Sequence, residues 1–370
     1  MSRFQVKGWC PGALRPMLSG DGLVVRIRPR LARLTAPQAQ GIASSALTHG
    51  NGLIDLSNRG NIQLRGVRPE AHLALLDDLD ALGLIDPDAA SESHRNLTVS
   101  PFWTAVDGTP EVYEALTVLL SAPQNAALPG KFGVAVDLGA APVLHGTPAD
   151  IRIERAPLGL LIRPDGVATG ALVQGLPDVI AATNRLLGWF LAQTGGRGRM
   201  ADLAGKALPP GFDHPMKATP FAPKPGPHVL GQLVAMEFGQ MRADTLAGLA
   251  RCAMRITPWR MILLESDKIA DQAGLITDPK DHRLSVTACT GAPGCPQGLQ
   301  PTRDLARRLA PIVPKGQHLH ISGCAKGCAH PGPADLTLCA TATGFDLIHH
   351  GRASDTPAYP FDPTTRFKAP

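Results

Sequence analysis

Over Gly22 to Pro29 (GLVVRIRP) apolar and polar residues alternate, which puts Leu23, Val25 and Ile27 on one face of a strand and Val24, Arg26 and Arg28 on the other. If the second face is open, the two arginines point the same way. A helix is predicted from Thr35 to Leu47, with Thr35 as its cap. Two short strands follow, Leu53 to Leu56 and Asn61 to Leu64, joined at Ser57-Asn58-Arg59-Gly60. Pro69 then opens a helix that carries Leu73, Leu76, Leu79 and Leu82 and stops at Gly83. Together these elements make a first unit, residues 1–85.

A second unit, residues 94–195, is predicted to hold a helix near Glu111 to Leu120 and strands at Phe132 to Leu138 and Leu158 to Ile162. A longer helix follows near Pro177 to Gln193, and Gly139 to Asp150 has turn composition. Residues 196–228 read as an extended linker, because seven of the nineteen positions from Pro209 to Pro227 are proline and no helix or central strand tolerates that density. Beyond it, Val229 to Glu237 reads as a strand and Ala243 to Cys252 as a helix. Met254-Arg255-Ile256-Thr257-Pro258-Trp259-Arg260-Met261-Ile262-Leu263-Leu264 then repeats the strand, Arg-bearing turn and strand of Ile54 to Leu64. That order predicts an internal duplication, with residues 229–280 as the second copy and a ligand between the halves. Residues 281–357 carry a helix at Thr302 to Leu309, a strand at His318 to Ile321 and a hairpin from Asp335 to Cys339 and Phe345 to His349. After Gly351 the chain turns polar and Pro-containing and is expected to drape over the surface or fray, with 358–370 as a C-terminal tail.

Composition narrows the classes. With 44% hydrophobic and 18% charged residues in 370, the chain is neither a coiled coil nor disordered. Of its 36 basic residues 26 are Arg, at a net charge of +5, and Arg forks bind carboxylates or phosphates bidentately. No basic run or zinc-finger spacing points to nucleic acid. No run of 18 apolar residues predicts a membrane span, and the start MSRFQVKGWCPGALRPM lacks the apolar stretch of a signal peptide. Seven cysteines, an odd and sparse set, are unlike a secreted disulfide scaffold, so a cytoplasmic location is expected.

Four of those cysteines fall in two glycine-rich loops, Cys289-Thr-Gly-Ala-Pro-Gly-Cys295 and Cys324-Ala-Lys-Gly-Cys328. Small neighbours let backbone N–H groups approach sulfides, so four such thiolates can wrap a [4Fe-4S] cluster. Zinc is the rival, although its paired ligands usually stand two to four residues apart and here one gap is five. Unrelated core thiols are the bland alternative. Cys252 and Cys339 sit in apolar contexts and read as core. Cys10, in Gly8-Trp9-Cys10-Pro11-Gly12, lies in a loop that either covers a ligand or is a plain structural turn.

With these motifs the chain resembles the sirohaem-dependent nitrite and sulfite reductase superfamily, whose cluster signature is C-x5-C then C-x3-C. The opening Gly8-Trp9-Cys10-Pro11-Gly12, the stretch Leu128-Pro129-Gly130-Lys131-Phe132-Gly133 and the sequences around Ala288-Cys289-Thr290-Gly291 and His320 to Pro331 resemble its precorrin-oxidising branch. The resemblance implies an α/β (α+β) fold: duplicated ferredoxin-like half-domains and two larger nitrite/sulfite-reductase-type domains around a central tetrapyrrole cleft. It also implies an oxidoreductase of monooxygenase type, converting precorrin-3A with O2 to precorrin-3B by C20 hydroxylation and γ-lactone formation in aerobic cobalamin biosynthesis. Arg59, Arg95 and Lys131 match tetrapyrrole-binding or catalytic positions, and Lys326 faces the macrocycle between the last two cysteines. Lys131 and Lys326 are the catalytic candidates. Arg26, Arg28, Arg59, Arg65, Arg95 and Lys131 are candidates for the substrate's carboxylates, and Cys289, Cys295, Cys324 and Cys328 for the cluster. The family further implies a mononuclear non-haem iron whose ligands the sequence does not show. NADH would act indirectly through a separate reductase, since no GxGxxG fingerprint is present. The reductases carry a second Lys where this chain has Gly133, which weakens the case for oxyanion reduction. Two other readings stay open: a sirohaem-binding nitrite or sulfite reductase, and a non-enzymatic iron-sulfur tetrapyrrole-binding protein.

Overall fold

The computed structural model describes residues 11–216, 221–268 and 272–362. Trp9 and Cys10 lie outside them. Thr35 opens the first helix, Ala36–His49, through a reciprocal capping box with Gln38, as its side-chain chemistry predicts. The strands on either side form a five-stranded sheet in the order Met17–Ser19, Gly22–Ile27, Ile62–Val67, Leu53–Leu56, Gln240–Arg242. A second sheet has the order Gly226–His228, Gly231–Met236, Met261–Leu264, Met254–Ile256, Arg33–Leu34. Each sheet therefore takes its last strand from the other segment of the chain. Val25, Ile27, Ile54 and Leu64 of the first share one core with Val234, Met254 and Ile262 of the second.

The two sheets also use the same turn. Ser57 N donates to Asn61 O and Ser57 Oγ accepts from the Arg59 and Asn61 N–H groups. Thr257 N donates to Met261 O and Thr257 Oγ1 accepts from Trp259 and Met261. Gly60 has φ 66° where Arg260 has φ 60°, so an arginine holds a left-handed conformation that glycine adopts freely.

Residues 94–216 build a mixed six-stranded sheet, His214–Pro215, Thr169–Val173, Gly159–Pro164, Ile151–Ala156, Val134–Asp137, Leu97–Val99. Helices Thr109–Leu120 and Leu176–Thr194 share its core. The Pro-rich segment does not run free: His214 and Pro215 pair with Gly170 and Thr169, Phe212 is buried, and Phe221 N donates to Pro142 O. A fourth sheet carries the cysteine loops, in the order Val286–Ala288, Leu319–Ser322, Ala334–Ala340, Phe345–Gly351, Tyr359–Phe361. Its last strand corrects the expectation of a draping or frayed chain after Gly351. Tyr359 and Phe361 pair with Leu347 and Phe345 at the sheet edge, where Pro360 is tolerated.

Candidate functional site

The cysteine loops leave the C-terminal ends of two parallel strands, Val286–Ala288 and Leu319–Ser322, so the fold brings Cys289 and Cys324 side by side. Cys289 N donates to Ile321 O, and Gly323 N donates to Cys289 Sγ at 3.1 Å. A side chain at Gly323 would crowd the loops, since a Cβ would lie 3.0 Å from Gly291 Cα and 3.4 Å from Cys289 Sγ. Thr302 Oγ1 donates to Cys289 O at 2.6 Å, pinning the first loop to the start of helix Arg303–Leu309. All four thiols are free. Burial pushes the Cys324 thiol up, and Cys295 and Cys289 add to the effect against the Lys326 backbone N–H and ammonium. Cys328 is exposed as a residue, but its thiol too is pushed up, first by burial and then by the other three sulfurs, with Lys326 opposing. The four sulfurs and the Lys326 charge thus share one locality.

Among the described residues no group of three or more His, Cys, Asp or Glu side chains is arranged to hold a metal ion. The loops fit a polynuclear cluster on other grounds. Four thiols are the donor set, glycines line the approach, and a backbone N–H already points at a cysteine sulfur. Among the described residues no ligand set for a mononuclear iron is found. The imidazoles of His318 and His330 lie 5.1 Å apart, and His320 and His330 5.6 Å, beside the second loop. Burial pushes His318 down to about 4 and His320 to about 3. Gly323→Ala is expected to cut iron and sulfide retention by about 10-fold or more, the scale for disturbing a ligand's support; iron and sulfide analysis after anaerobic reconstitution checks it.

The predicted basic residues fall into two groups. Arg26, Arg28 and Arg95 are neighbours, and Arg59 reaches the Lys131 backbone. Arg26 and Arg28 share a face as predicted, but that face is covered, leaving them 9% and 5% exposed. Arg28 lies 3.4 Å from Glu92, whose carboxylate also accepts from the Ala13 and Leu14 N–H groups. Burial first, then Arg26, lowers Arg28 to about 10, and its buried Nε has no hydrogen-bond partner among the described residues. Arg59 donates to Lys131 O at 3.1 Å. Arg95 grips Asp86 with two 2.7 Å bonds and also donates to Tyr113 Oη and Arg28 O, so its donors act as an internal brace.

Arg65 stands apart from that group. It binds Asp21 through two nitrogens at 3.1 and 2.7 Å and donates to Gly294 O at 2.7 Å, inside the first cysteine loop. Between the groups runs a cross-strand row on one sheet face: Arg26, Gln63, Asp55 and Gln240 occupy adjacent register positions. Gln63 accepts from Arg26, and Asp55 accepts from Gln240 and from Arg303. Sequence reasoning missed Arg303 and, as a site residue, Arg260, which donates to Ala329 O at 2.8 Å beside Cys328. The turn match to Ser57–Gly60 was the only sequence signal for Arg260, and Arg303 had none. Cavities of about 640 Å³ near Val112, Leu138 and Leu176 and about 310 Å³ near His318 and Asp335 are not lined by the predicted arginines.

Comparison with known proteins adds to this geometry. Residues 15–82 match the nitrite/sulfite reductase ferredoxin-like half domain. The chain is 28% identical to a precorrin-3B synthase of Sinorhizobium sp, over 95% of this chain and 84% of that one. It is 24% identical to a ferredoxin–nitrite reductase of Synechococcus elongatus, over 88% and 77% of the two chains. A sulfite reductase (ferredoxin) 1 of Mycolicibacterium paratuberculosis is 23% identical over 85% and 69%. The solved structure of Mycobacterium tuberculosis NirA protein has the same fold, with a TM-score of 0.63 at 18% identity over 89% and 75% of the chains. Among the described residues no helix is long and apolar enough to cross a membrane.

Proposed function

We propose that this chain, which belongs to the nitrite/sulfite reductase-like superfamily, is a precorrin-3B synthase that converts precorrin-3A and O2 to precorrin-3B by C20 hydroxylation and lactone closure. The observation that carries this reading over oxyanion reduction is the cradle at Gly133. A Cβ there would lie 3.0 Å from Arg59 Nη1 and 3.1 Å from Asn96 O. Gly133 N also donates to the buried Asp150 carboxylate. The chain lacks at this position the second lysine of the proton-donating pair that sulfite or nitrite reduction calls for, and a side chain there would ask Arg59 and Asn96 to give by a few tenths of an ångström.

The matching strand order, shared turn and exchanged strands of the first two sheets support an internal duplication, with the acidic tetrapyrrole bound between the halves. In this reading Arg26, Arg28, Arg59 and Lys131 hold the macrocycle's carboxylates, and the orphaned Arg28 Nε is a donor in waiting. Arg95 acts through its bond to the Arg28 carbonyl. Lys326 places an ammonium over the cysteine loops and orients a carboxylate from that side. Cys289, Cys295, Cys324 and Cys328 would hold the [4Fe-4S] cluster, which supplies single electrons when bound. A separate NADH-dependent reductase would feed them.

A second reading, a sirohaem nitrite or sulfite reductase, draws on the likeness to those enzymes. Protein purified without oxygen distinguishes the two. About four sulfides with four or five irons, no intense haem band, and formation of precorrin-3B from precorrin-3A under O2 are the expected results. An intense haem band with nitrite or sulfite turnover would overturn the proposal in favour of the reductase, and zinc without sulfide would sink both.

A further inference from the structure

The two cysteine loops are each gripped by one arginine, and the two arginines come from different sheets. From the first, Arg65 on strand Ile62–Val67 donates to the carbonyl of Gly294, the residue before Cys295, at 2.7 Å. Ser19 Oγ donates to the same oxygen at 2.8 Å, and Asp21 holds the Arg65 guanidinium bidentately. The hairpin tip itself abuts this loop: a Cβ on Gly20 would lie 2.4 Å from Pro293 O. From the second, Arg260 donates at 2.8 Å to the carbonyl of Ala329, the residue after Cys328. Its stem crosses Gly239 so closely that a Cβ there would lie 2.5 Å from Arg260 Cδ. Arg260 does this from a left-handed backbone, φ 60°, at the turn position that Gly60 fills in the first sheet. An arginine at a glycine-favouring position carries a conformational cost, and the bond to Ala329 is what the side chain gains there.

We infer that Arg65 and Arg260 are positioning residues for the [4Fe-4S] loops, each sheet locking the loop of one distal cysteine, so that the cluster forms only when both sheets are docked. This rests on the cluster reading above and assigns Arg65 to the Cys295 loop, not to a substrate carboxylate. The arginines touch loop carbonyls, not sulfurs, and act by fixing where Cys295 and Cys328 stand.

The test uses the full chain, purified and reconstituted without oxygen, as wild type and as Arg65→Gln, Arg65→Lys, Arg260→Gln and Arg260→Lys. Arg163→Gln is the control, because it breaks a buried bidentate pair with Glu154 in the sheet of residues 94–216. The readouts are iron release to a chelator, the electron paramagnetic resonance spectrum of the reduced cluster, and the thermal midpoint. The Gln variants at 65 and 260 should release iron about 10- to 100-fold faster, with an altered spectrum and partial rescue by Lys. Arg163→Gln should lower the midpoint and leave release and spectrum unchanged. Wild-type release and spectrum in all four variants, whatever their midpoints, would overturn the inference; if a Gln variant fails to fold, its Lys partner decides. A wild-type chain that takes up no sulfide would instead remove the cluster reading, a result distinct from failure of the clamp.

Discussion

Cys289→Ser is expected to yield a folded chain that retains no iron or sulfide and whose oxidation of precorrin-3A falls to background, a loss of more than about 100-fold, beyond the scale of losing a ligand's supporting partner. Cys289 is the sharpest choice of the four because its surroundings are the most constrained. Its sulfur accepts the Gly323 N–H, its carbonyl accepts Thr302 Oγ1, and its amide is tied to Ile321. A serine hydroxyl can keep those backbone bonds, so the strand ends and the helix Arg303–Leu309 stay in place while the soft, anionic ligand is gone. Cys252→Ser is the comparison. Cys252 is half-buried against the core shared by the first two sheets, and its substitution should keep wild-type sulfide content at a stability cost of about 1 kcal/mol. Absorbance of the anaerobic protein with iron and sulfide analysis separates them; equal cluster content in the two variants would remove Cys289 from the ligand set.

What could be read from the sequence was what local chemistry decides. The Thr35 cap needs only Gln38 three residues on, and the Ser57 and Thr257 turns are built by side chains within four residues of their partners. The cysteine spacing carried the candidate centre for the same reason: loop, ligand and neighbouring glycines lie together in the chain. Strand Ile151–Ala156 was not foreseen, and two of its three charged residues, Arg152 and Glu154, are buried. Arg152 pairs with Asp165 and Glu154 with Arg163, so polarity no longer marks the solvent face. The exchanged strands were illegible as well. Arg33–Leu34 has two residues, and its partner Met254–Ile256 lies more than two hundred positions away. Arg65 was read as a substrate ligand from its place at a strand end. Only the folded chain brings Gly294 to it across a sequence separation of 229. The same holds for Arg260 and Ala329, which no periodicity connects.

The strand exchange also predicts where the molecule is most vulnerable to losing a single charge. Arg33 and Arg255 face each other in register where the two segments pair, an arrangement that repels unless an anion intervenes. Glu265 is that anion. It accepts two bonds from Arg33, at 2.8 and 2.7 Å, and one from Arg255 at 2.7 Å. Arg255 continues to the Pro101 and Trp103 carbonyls and lies 4.3 Å over the Trp103 ring, so one carboxylate ties the two chain segments that pair in the second sheet to residues 94–216. Glu265→Gln leaves two facing arginines, one of them 7% exposed, without their counter-charge. The expected cost is about 2–3 kcal/mol, below the 3–5 typical of a fully buried pair because the Glu265 side chain keeps a fifth of its surface. The Arg33 and Arg255 hydrogen bonds, against the opposing effect of burial, hold the Glu265 carboxyl down at about 2 from an ordinary 4.5. A depressed carboxylate contributes stability that is complete above its unfolded value and is lost as the pH falls through the folded one. The difference in thermal midpoint between wild type and Glu265→Gln should therefore be constant from pH 7 to about pH 5 and shrink steadily between about pH 4.5 and pH 2. A difference that is absent at pH 7, or that does not shrink on acidification, would mean that Glu265 does not join the two segments through its charge.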